Sequence, residues 1–337
     1  MINIALDAFG GDHSPAEPVK GAILAVKEYP ISVTLVGDES QIRDLLSQYS
    51  EYPKEKISIV HASEVVGMAE SPSKSFRQKK DSSIQVGLNL VRDKKCQGFV
   101  SAGNTGAVLA VSTLVLGRSP HVERPGLAAV IPSLKSHFIL LDVGSNVDCK
   151  PIHLIQFALM GTRFSKAIMG IENPKVGLLN IGEERDKGNQ LTLETHQLFE
   201  TLNLNFIGNV ESREILMGVA DVVVCDGFMG NGLIKFGEGI TSLFTSFFKE
   251  EAKHSWMSLL GLMLLKPAFK RFRKKFDYDE YGGAHLLGVN GVSVVAHGRA
   301  KDIAIKNAIR IAYKASEERI VDKISSSISD NLQFQAK

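Results

Sequence analysis

The chain has 337 residues, a formal net charge of +2 and a hydrophobic fraction of 44%. This length can bury a large core, and the near-neutral charge argues against a general nucleic-acid-binding protein. Three scattered cysteines without CxxC spacing argue against a disulfide framework and a cysteine zinc site.

The sequence predicts a cytoplasmic protein. Its first residues lack the basic and apolar regions of a secretory signal peptide. The most apolar run, Trp256 to Leu265, is shorter than the ~20 residues that a membrane-spanning helix needs.

Short apolar runs alternate with helix-like segments along most of the chain, which is typical of an α/β protein with a parallel sheet. A polar stretch from Glu64 to Asp81 interrupts this alternation and is predicted to be a functional loop. The predicted strands are Ile2–Leu6, Val33–Val36, Ile57–Val60, Gly98–Ser101, Leu127–Ile131, Phe138–Asp142, Val176–Leu179, Leu204–Ile207, Val222–Cys225, Ala284–Val289 and Val292–Ala296. The predicted helices cover 17–27, 38–46, 84–94 and 104–116, then one from about 151, one through 198, 230–276 and 301–323.

The C-terminal part carries two further signals. Asn290-Gly291 between two apolar runs predicts a β-hairpin, and the residues from 325 to 337 are predicted to be a frayed polar tail. We expect a single αβα catalytic domain over residues 1–330, with a helical excursion over residues 240–278 that faces a membrane or a partner.

Polar residues and glycines follow many of the predicted strands. Ligands of open parallel sheets bind outside the carboxyl ends of strands, and the helix that follows offers unpaired N–H groups to an anion. We therefore predict that several of these turns converge on one phosphate-sized site. The residues concerned are Asp7, Ser101, Asn104, Asp142, Asn146, Asn180, Asn209, Asp226 and Asn231.

The familiar nucleotide and hydrolase motifs are absent. Gly103 and Gly106 match neither a Walker A loop nor GxGxxG, and the sequence contains no HExxH or GxSxG. Two alternatives remain open at this point. Asp7, Asp12, Asp142 and Asp148 supply carboxylates for a metal, and Cys225 supplies a thiol nucleophile, although a thiol that ends an apolar strand is more often a buried core residue.

Several motifs together resemble the PlsX family, the bacterial phosphate acyltransferases of phospholipid synthesis. The resemblance runs from the first strand to about Gly298. It rests on Asp7-Ala-Phe-Gly-Gly-Asp12, Lys79-Lys-Asp-Ser-Ser83, Ser101-Ala-Gly-Asn-Thr-Gly106, Leu141-Asp-Val-Gly-Ser-Asn-Val-Asp-Cys-Lys-Pro151, Leu178-Leu-Asn-Ile-Gly-Glu-Glu184, Phe206-Ile-Gly-Asn-Val-Glu211, Cys225-Asp-Gly-Phe-Met-Gly-Asn231 and Tyr281-Gly-Gly-Ala-His-Leu-Leu-Gly-Val-Asn-Gly291.

The resemblance implies a three-layer αβα sandwich with a mostly parallel sheet, similar to isocitrate dehydrogenase and phosphotransacetylase, and a homodimer. It implies acyl transfer from acylated acyl carrier protein to inorganic phosphate, which releases acyl phosphate without a cofactor or a metal. Phosphate is itself the nucleophile, so the site needs an anion cradle, a proton acceptor and donors for the thioester oxygen. A PlsY-type membrane glycerol-3-phosphate acyltransferase is the expected downstream partner.

These needs assign roles to named residues. Asp226 is the predicted proton acceptor, by analogy with the phosphotransacetylase site. The predicted donors to the thioester carbonyl are Asn104 and Asn231, and Lys187 is a further catalytic candidate. The predicted substrate- and phosphate-binding residues are Ser101, Gly103, Thr105, Gly106, Asp142, Asn146, Asn180 and Gly227.

Two basic clusters are candidates for contact with the carrier protein or an anionic membrane. The second cluster has apolar residues at helical spacing among basic ones, namely Leu262, Leu265, Phe269, Phe272 and Phe276. This pattern is typical of a helix that lies on a bilayer, although a core helix with a solvated basic face has the same pattern. Pro267 is expected in the first turn of its helix. The contact candidates are Arg77, Lys79, Lys80, Phe269, Lys270, Arg271, Phe272, Arg273 and Lys274.

Two other functions remain as alternatives. A nicotinamide-dependent dehydrogenase can use a related fold, and a non-catalytic adaptor can bind a membrane and the carrier protein. The many polar turns after predicted strands favour an enzyme over an adaptor.

Overall fold

The computed structural model describes residues 1–276 and 278–335, and the side chains at positions 249, 256, 272–279 and 332–335 are outside its description. In this part of the chain the strands are β1 Ile2–Asp7, β2 Ile31–Gly37, β3 Ile57–His61, β4 Gly98–Ser101, β5 Gly126–Pro132, β6 His137–Leu141, β7 Val176–Asn180, β8 Phe206–Glu211, β9 Val222–Val224, β10 Ala284–Leu287 and β11 Val292–Val295. They form one sheet in the order β3-β2-β1-β4-β11-β10-β5-β6-β9-β7-β8.

The sheet reverses direction near its centre. Among the described residues, seven of the ten strand pairings are parallel, whereas β10 is antiparallel to β11 and β5, and β5 is antiparallel to β6. Strands β1, β4 and β11 therefore end at one edge of the sheet, which we call the first edge. Strands β6, β7, β8 and β9 end at the opposite edge, which we call the second edge.

Helices cover both faces of this sheet. They are α1 Ala16–Glu28, α2 Glu39–Ser47, α3 Pro72–Gln78, α4 Ser83–Arg92, α5 Thr105–Leu116, α6 Pro151–Phe164, α7 Gln190–Phe199, α8 Ser212–Ile215, α9 Gly227–His254, α10 Trp256–Phe276, α11 Asp302–Glu317 and α12 Ile320–Gln335. One hydrophobic core lies beneath α1, α6, α11 and α12, and a second lies beneath α4, α5 and the start of α9. The predicted three-layer αβα sandwich with a mostly parallel sheet is confirmed.

Several helices begin where the sequence predicts, because a polar side chain caps their first turn. Asp38 accepts a hydrogen bond from the Gln41 N–H, and Ser82 caps α4 in the same way. The Oδ1 atom of Asn104 accepts the Ala107 N–H at 3.0 Å at the start of α5. Such a cap satisfies one of the N–H groups that a helix leaves unpaired.

Helices α9 and α10 form a hairpin with many exposed apolar side chains. Leu243, Phe244 and Phe247 of α9 and Met263 and Leu264 of α10 are all exposed. Phe269, in contrast, is half-buried, and its ring centroid lies 4.9 Å from that of Phe248 on α9. None of the helices in the described residues has the length and apolarity to cross a membrane.

The secondary structure differs from the prediction in four places. The stretch predicted to be a loop contains α3, and Pro267 lies inside α10 rather than in a first turn. Residues 208–211 continue β8 instead of forming a turn, because they pair with β7. The predicted tail is helical through Gln335, since α12 buries Ile324, Ser327 and Ile328 against the body of the protein.

Candidate active site

At the first edge, polar side chains hold the turns after β1 and β4 together. The Ser101 hydroxyl donates to Asp7 Oδ2 at 2.7 Å and accepts the Gly103 N–H at 2.9 Å. Burial raises the pKa of Asp7 above its ordinary value, and the hydrogen bond from Ser101 opposes that rise. Ser101 and Asp7 are both fully buried, so they stabilise the edge rather than present groups to a substrate.

Asn104 is fully engaged at the same edge. Its Nδ2 donates to the carbonyls of Met68 at 2.9 Å and Glu70 at 3.0 Å, and its Oδ1 caps α5. Both N–H groups of this amide are therefore used to hold the segment that precedes α3. The donation of Asn104 to a thioester carbonyl stays a prediction, and it would require one of these hydrogen bonds to be exchanged. Thr105 is exposed and Gly106 is half-buried at the start of α5.

The first basic cluster lies on and beside α3. Lys79 forms an ion pair with Glu70 at 2.6 Å, and the Lys80 ammonium lies 4.2 Å from the centroid of the Phe76 ring. Arg77 and Lys80 remain exposed. Of the three predicted contact residues, Lys79 thus has a structural partner, and the other two can meet a binding partner.

At the second edge, Asp142 organises the turn after β6. Its carboxylate accepts six hydrogen bonds, from the N–H groups of Leu127, Gly144, Ser145 and Asn146, the Ser145 hydroxyl and the Asn146 amide. The residue is completely buried. A carboxylate saturated in this way shapes the turn, and its contact with phosphate stays a prediction.

Asn146 joins three segments of the second edge. Its Nδ2 donates to the Pro125 carbonyl at 2.7 Å, and its own carbonyl accepts the Gly227 N–H at 2.7 Å. Helix α9 packs closely here, because a Cβ at Gly230 would overlap the carbonyl oxygen of Asp142. Asn146 and Gly227 therefore position the start of α9, and their contact with phosphate stays a prediction.

Asp226 lies at the start of α9 and keeps one carboxylate oxygen free. Its Oδ1 accepts the Met229 N–H at 2.8 Å, and among the described residues Oδ2 has no hydrogen-bond partner. Asp226 is half-buried and Asn231, one turn further along α9, is exposed. The predicted acceptor and one of the predicted donors are thus on the first turns of a single helix.

The loop that carries Lys187 is held by a buried polar network. Asn180 donates to the Lys187 carbonyl at 2.9 Å, and Asn209 donates to the Glu184 carbonyl at 2.8 Å. The Oδ1 atom of Asn209 lies 2.9 Å from His196 Nδ1, which therefore carries the hydrogen. The Lys187 side chain itself is exposed at the second edge. The sequence drew attention to Asn180 and Asn209, but His196 lies in the middle of a helix where no local pattern marks it.

The turns after β4 and β6 lie on strands that are not neighbours in the sheet. Ser101 and Asp142 are separated by four strand steps, and sheet spacings place them about 20 Å apart. Helix α9 connects the edges, since its Glu238 lies 3.9 Å from His297, just after β11. Strands β4 and β6 point in opposite directions, but the register places Ser101 in the same row of the sheet as Leu140. The convergence of several turns on one phosphate-sized site therefore stays a prediction. In the part of the chain that the structure describes, no three His, Cys, Asp or Glu residues are grouped in a way that could hold a metal ion.

The described thiols near the second edge are unreactive. Cys225 is completely buried, and burial raises its pKa well above the ordinary value. Burial also raises the pKa of Cys149 to about 12. A thiol needs its thiolate form to attack a thioester, so neither residue is a nucleophile near neutral pH.

Comparisons with known proteins agree on the chemistry and the fold. A family model described as fatty acid synthesis protein matches residues 2–323. A phosphate acyltransferase of Heliobacterium modesticaldum is 48% identical over 332 residues, which cover 98% of this chain and 99% of the relative. A phosphate acyltransferase of Dictyoglomus turgidum is 50% identical over 326 residues, which cover 96% of each chain.

Solved structures with low sequence identity share the fold. A phosphotransacetylase from Streptococcus pyogenes superposes with a TM-score of 0.63 at 15% identity over 94% of each chain. A 4-hydroxythreonine-4-phosphate dehydrogenase from Klebsiella pneumoniae gives a TM-score of 0.53 at 13% identity, over 94% of this chain and 100% of that one. At such identity the likeness concerns the fold alone.

Proposed function

The chain belongs to the fatty acid synthesis protein family of phosphate acyltransferases, and we propose that it transfers the acyl group of an acyl carrier protein thioester to inorganic phosphate. It is an acyltransferase whose acceptor is phosphate. Family membership favours this activity over the dehydrogenase and adaptor alternatives. The acyl phosphate then feeds phospholipid synthesis through a membrane glycerol-3-phosphate acyltransferase.

The second edge supports this chemistry best. The single observation that carries the assignment is the free Oδ2 of Asp226, which has no protein partner among the described residues, on the helix that also presents Asn231. The neighbouring Lys187 loop adds an exposed cation. Because Asn146, Asn180 and Asn209 fix the surrounding turns, these groups are held in place before the substrate arrives.

The reaction balances without an acyl-enzyme. A phosphate oxygen attacks the thioester carbonyl carbon, and Asp226 takes the proton of the phosphate as the new C–O bond forms. Asn231 donates a hydrogen bond to the carbonyl oxygen, which becomes negative in the tetrahedral intermediate. The C–S bond then breaks, and the proton held by Asp226 passes to the departing thiolate of the carrier protein.

The carrier protein docks through exposed basic residues. Arg77 and Lys80 beside the first edge are the candidates, and their charge suits an acidic carrier protein. This docking surface beside the first edge and the proposed reaction site at the second edge are separate places on the protein. The protein acts as a homodimer in the cytoplasm.

The α9–α10 hairpin binds the inner surface of the cell membrane. Its exposed apolar side chains, among them Met263 and Leu264, lie close in sequence to the exposed Lys266, Lys270 and Arg271. Apolar insertion and basic residues both favour an anionic bilayer, at about 1 kcal/mol for each basic residue near the surface. Phe269 packs inside the hairpin, and the side chains of Phe272, Arg273 and Lys274 are outside the described part of the structure.

The proposed reaction is tested by mixing the protein with an acylated carrier protein, with and without inorganic phosphate. We expect free carrier thiol and acyl phosphate to form in equal amounts, and only when phosphate is present. Thiol release that ignores phosphate would indicate hydrolysis, and absence of release would remove the proposed activity.

A further inference from the structure

Arg124 lies at the second edge with its charge unpaired. Its side chain is exposed, and its Nη1 atom lies 3.4 Å from the backbone carbonyl of Asp148. Among the described residues, no carboxylate lies within ion-pair distance of this guanidinium. The arginine is therefore a cation without a counter-ion beside the turn after β6.

The backbone at Arg124 is tied to the start of α9. The carbonyl of the next residue, Pro125, accepts hydrogen bonds from Asn146 Nδ2 at 2.7 Å and from the Ser145 hydroxyl at 3.2 Å. The carbonyl of Asn146 accepts the N–H of Gly227, which directly follows Asp226. One buried asparagine thus links the segment of Arg124 to the segment of Asp226.

The nearest acid in sequence, Glu123, is engaged elsewhere. His153 Nδ1 accepts the Lys150 N–H at 3.0 Å, so Nε2 carries the hydrogen and faces Glu123 Oε2 at 3.3 Å. Burial and the charge of Arg124 lower the pKa of His153, which stays neutral near pH 7. Glu123 therefore has a neutral donor as its partner and leaves Arg124 free.

Arg124 and Asp226 both influence the pKa of Cys149, in opposite directions. Burial is the main cause of the raised pKa of the Cys149 thiol; the negative charges of Asp142 and Asp226 add to the rise, and the positive charge of Arg124 opposes it. Both side chains thus lie within electrostatic range of one sulfur atom.

We propose that Arg124 binds the phosphate nucleophile and holds it beside Asp226. This inference rests on the proposed phosphate-dependent acyl transfer. A phosphate dianion next to an ionised carboxylate is repelled unless a cation compensates, and a guanidinium can donate two parallel hydrogen bonds to two phosphate oxygens. The third unprotonated oxygen then remains to attack the thioester carbonyl carbon, and the protonated oxygen gives its proton to Asp226.

The test measures phosphate-dependent release of carrier thiol by wild type, Arg124→Gln and Arg124→Lys over a range of phosphate concentrations. We expect Arg124→Gln to raise the KM for phosphate by roughly tenfold to a hundredfold, because a charge-assisted contact is lost. Arg124→Lys keeps the charge but not the paired donors, so its KM should lie between the other two. The KM for the acylated carrier protein should change less than threefold, as a rough bound.

Lys150→Gln is the matched control, because Lys150 is an exposed cation near the same edge. A thermal melt of each variant verifies that it is folded. An unchanged KM for phosphate in Arg124→Gln, or an equal rise in Lys150→Gln, overturns the assignment of Arg124 while the proposed function stands. If wild type itself shows no phosphate-dependent release, the proposed function fails and the inference falls with it.

Discussion

Asp226 accepts the backbone N–H of Met229 at 2.8 Å, so the carboxylate that is the candidate proton acceptor also begins helix α9. One oxygen stabilises the helix and the other is free for chemistry. This division separates the two roles experimentally, because asparagine caps a helix about as well as aspartate but accepts no proton.

We expect Asp226→Asn to reduce turnover by roughly 10²- to 10⁴-fold, the usual contribution of a general base. Its free energy of unfolding should change by less than about 0.5 kcal/mol, whereas Asp226→Ala should lose about 1 kcal/mol with the cap. Urea unfolding and steady-state kinetics measure both quantities. Near-normal turnover in Asp226→Asn would remove Asp226 from the mechanism.

Asp142 provides a contrasting case at the same edge. Asp142→Asn replaces one carboxylate oxygen with an NH₂ group, which cannot accept hydrogen bonds. Several buried N–H groups that donate to that oxygen in the wild type therefore lose their acceptor. We expect a loss of about 3 kcal/mol or more in the free energy of unfolding, measured by urea denaturation. A fully stable variant with a selectively raised KM for phosphate would instead restore the phosphate-binding role predicted from the sequence.

Asn209 is expected to support the Lys187 loop. Asn209→Leu leaves the Glu184 carbonyl and His196 Nδ1 without their partner, which should cost about 1–3 kcal/mol for buried groups. Turnover should fall as well, because the loop is no longer fixed. Asn205→Ala is the control, since Asn205 donates a solvent-exposed hydrogen bond to the Asn173 carbonyl and should change stability by less than about 0.5 kcal/mol.

His285 on β10 predicts a specific loss of stability in acid. Complete burial lowers its pKa to about 3, and the ring packs edge-to-face against Phe164 at 5.1 Å. The unfolded chain binds a proton near the ordinary value of 6.5 and the folded chain does not, so stability is full above that value and falls as pH decreases toward 3. Between about pH 7.5 and pH 5 the loss should be about 2 kcal/mol.

Urea unfolding of His285→Leu at several pH values checks this assignment. The number of protons taken up on unfolding in acid should be lower by nearly one in the variant than in wild type. His254→Leu removes an exposed histidine and should leave the pH dependence as in wild type. An identical pH slope in wild type and His285→Leu would show that another group is responsible.

The hairpin gives a prediction about membranes. Met263 and Leu264 are 58% and 75% exposed, so replacing both with glutamate should leave the fold intact. Binding of the double variant to vesicles of anionic lipid should weaken by roughly tenfold or more, because two apolar side chains are lost and two negative charges are gained. Vesicle flotation measures the binding. Leu114→Glu alters an exposed leucine on α5 and is the control. Undiminished flotation of the double variant would exclude this surface as the membrane contact.

Local patterns predicted most of the fold but not the arrangement of the site. The caps at Asp38, Ser82 and Asn104 and the Asn290-Gly291 hairpin depend on neighbouring residues, so the sequence contains their whole cause. The separation of β4 and β6 depends on which distant strands lie between them. The two antiparallel pairings of β10 cancel in direction, so β4 and β6 point in opposite directions because β5 is antiparallel to β6. The insertion of β10 and β11 between β4 and β5 depends on residues more than 150 positions away from β5, and nothing near Ser101 indicates it.

The same limit applied to single residues. Asn104 and Asp142 were identified correctly as special polar residues after strands, yet their hydrogen-bonding capacity is used by distant backbone groups. His196 and Arg124 lie in ordinary sequence contexts, and only three-dimensional contacts bring them to the second edge. Phe269 has the spacing of a membrane-facing residue, and the partner on α9 that covers it is about twenty residues away.

The position of β10 and β11 between β4 and β5 has a consequence for how the protein is made. When the ribosome has synthesised only the residues before β10, strands β4 and β5 each have one side without a neighbouring strand and expose unpaired backbone groups there. Such open strands invite pairing with other nascent chains. Completion of the sheet must therefore await β10, which begins only at Ala284 of the 337 residues, and the exposure of these strands to other nascent chains should end when that segment emerges.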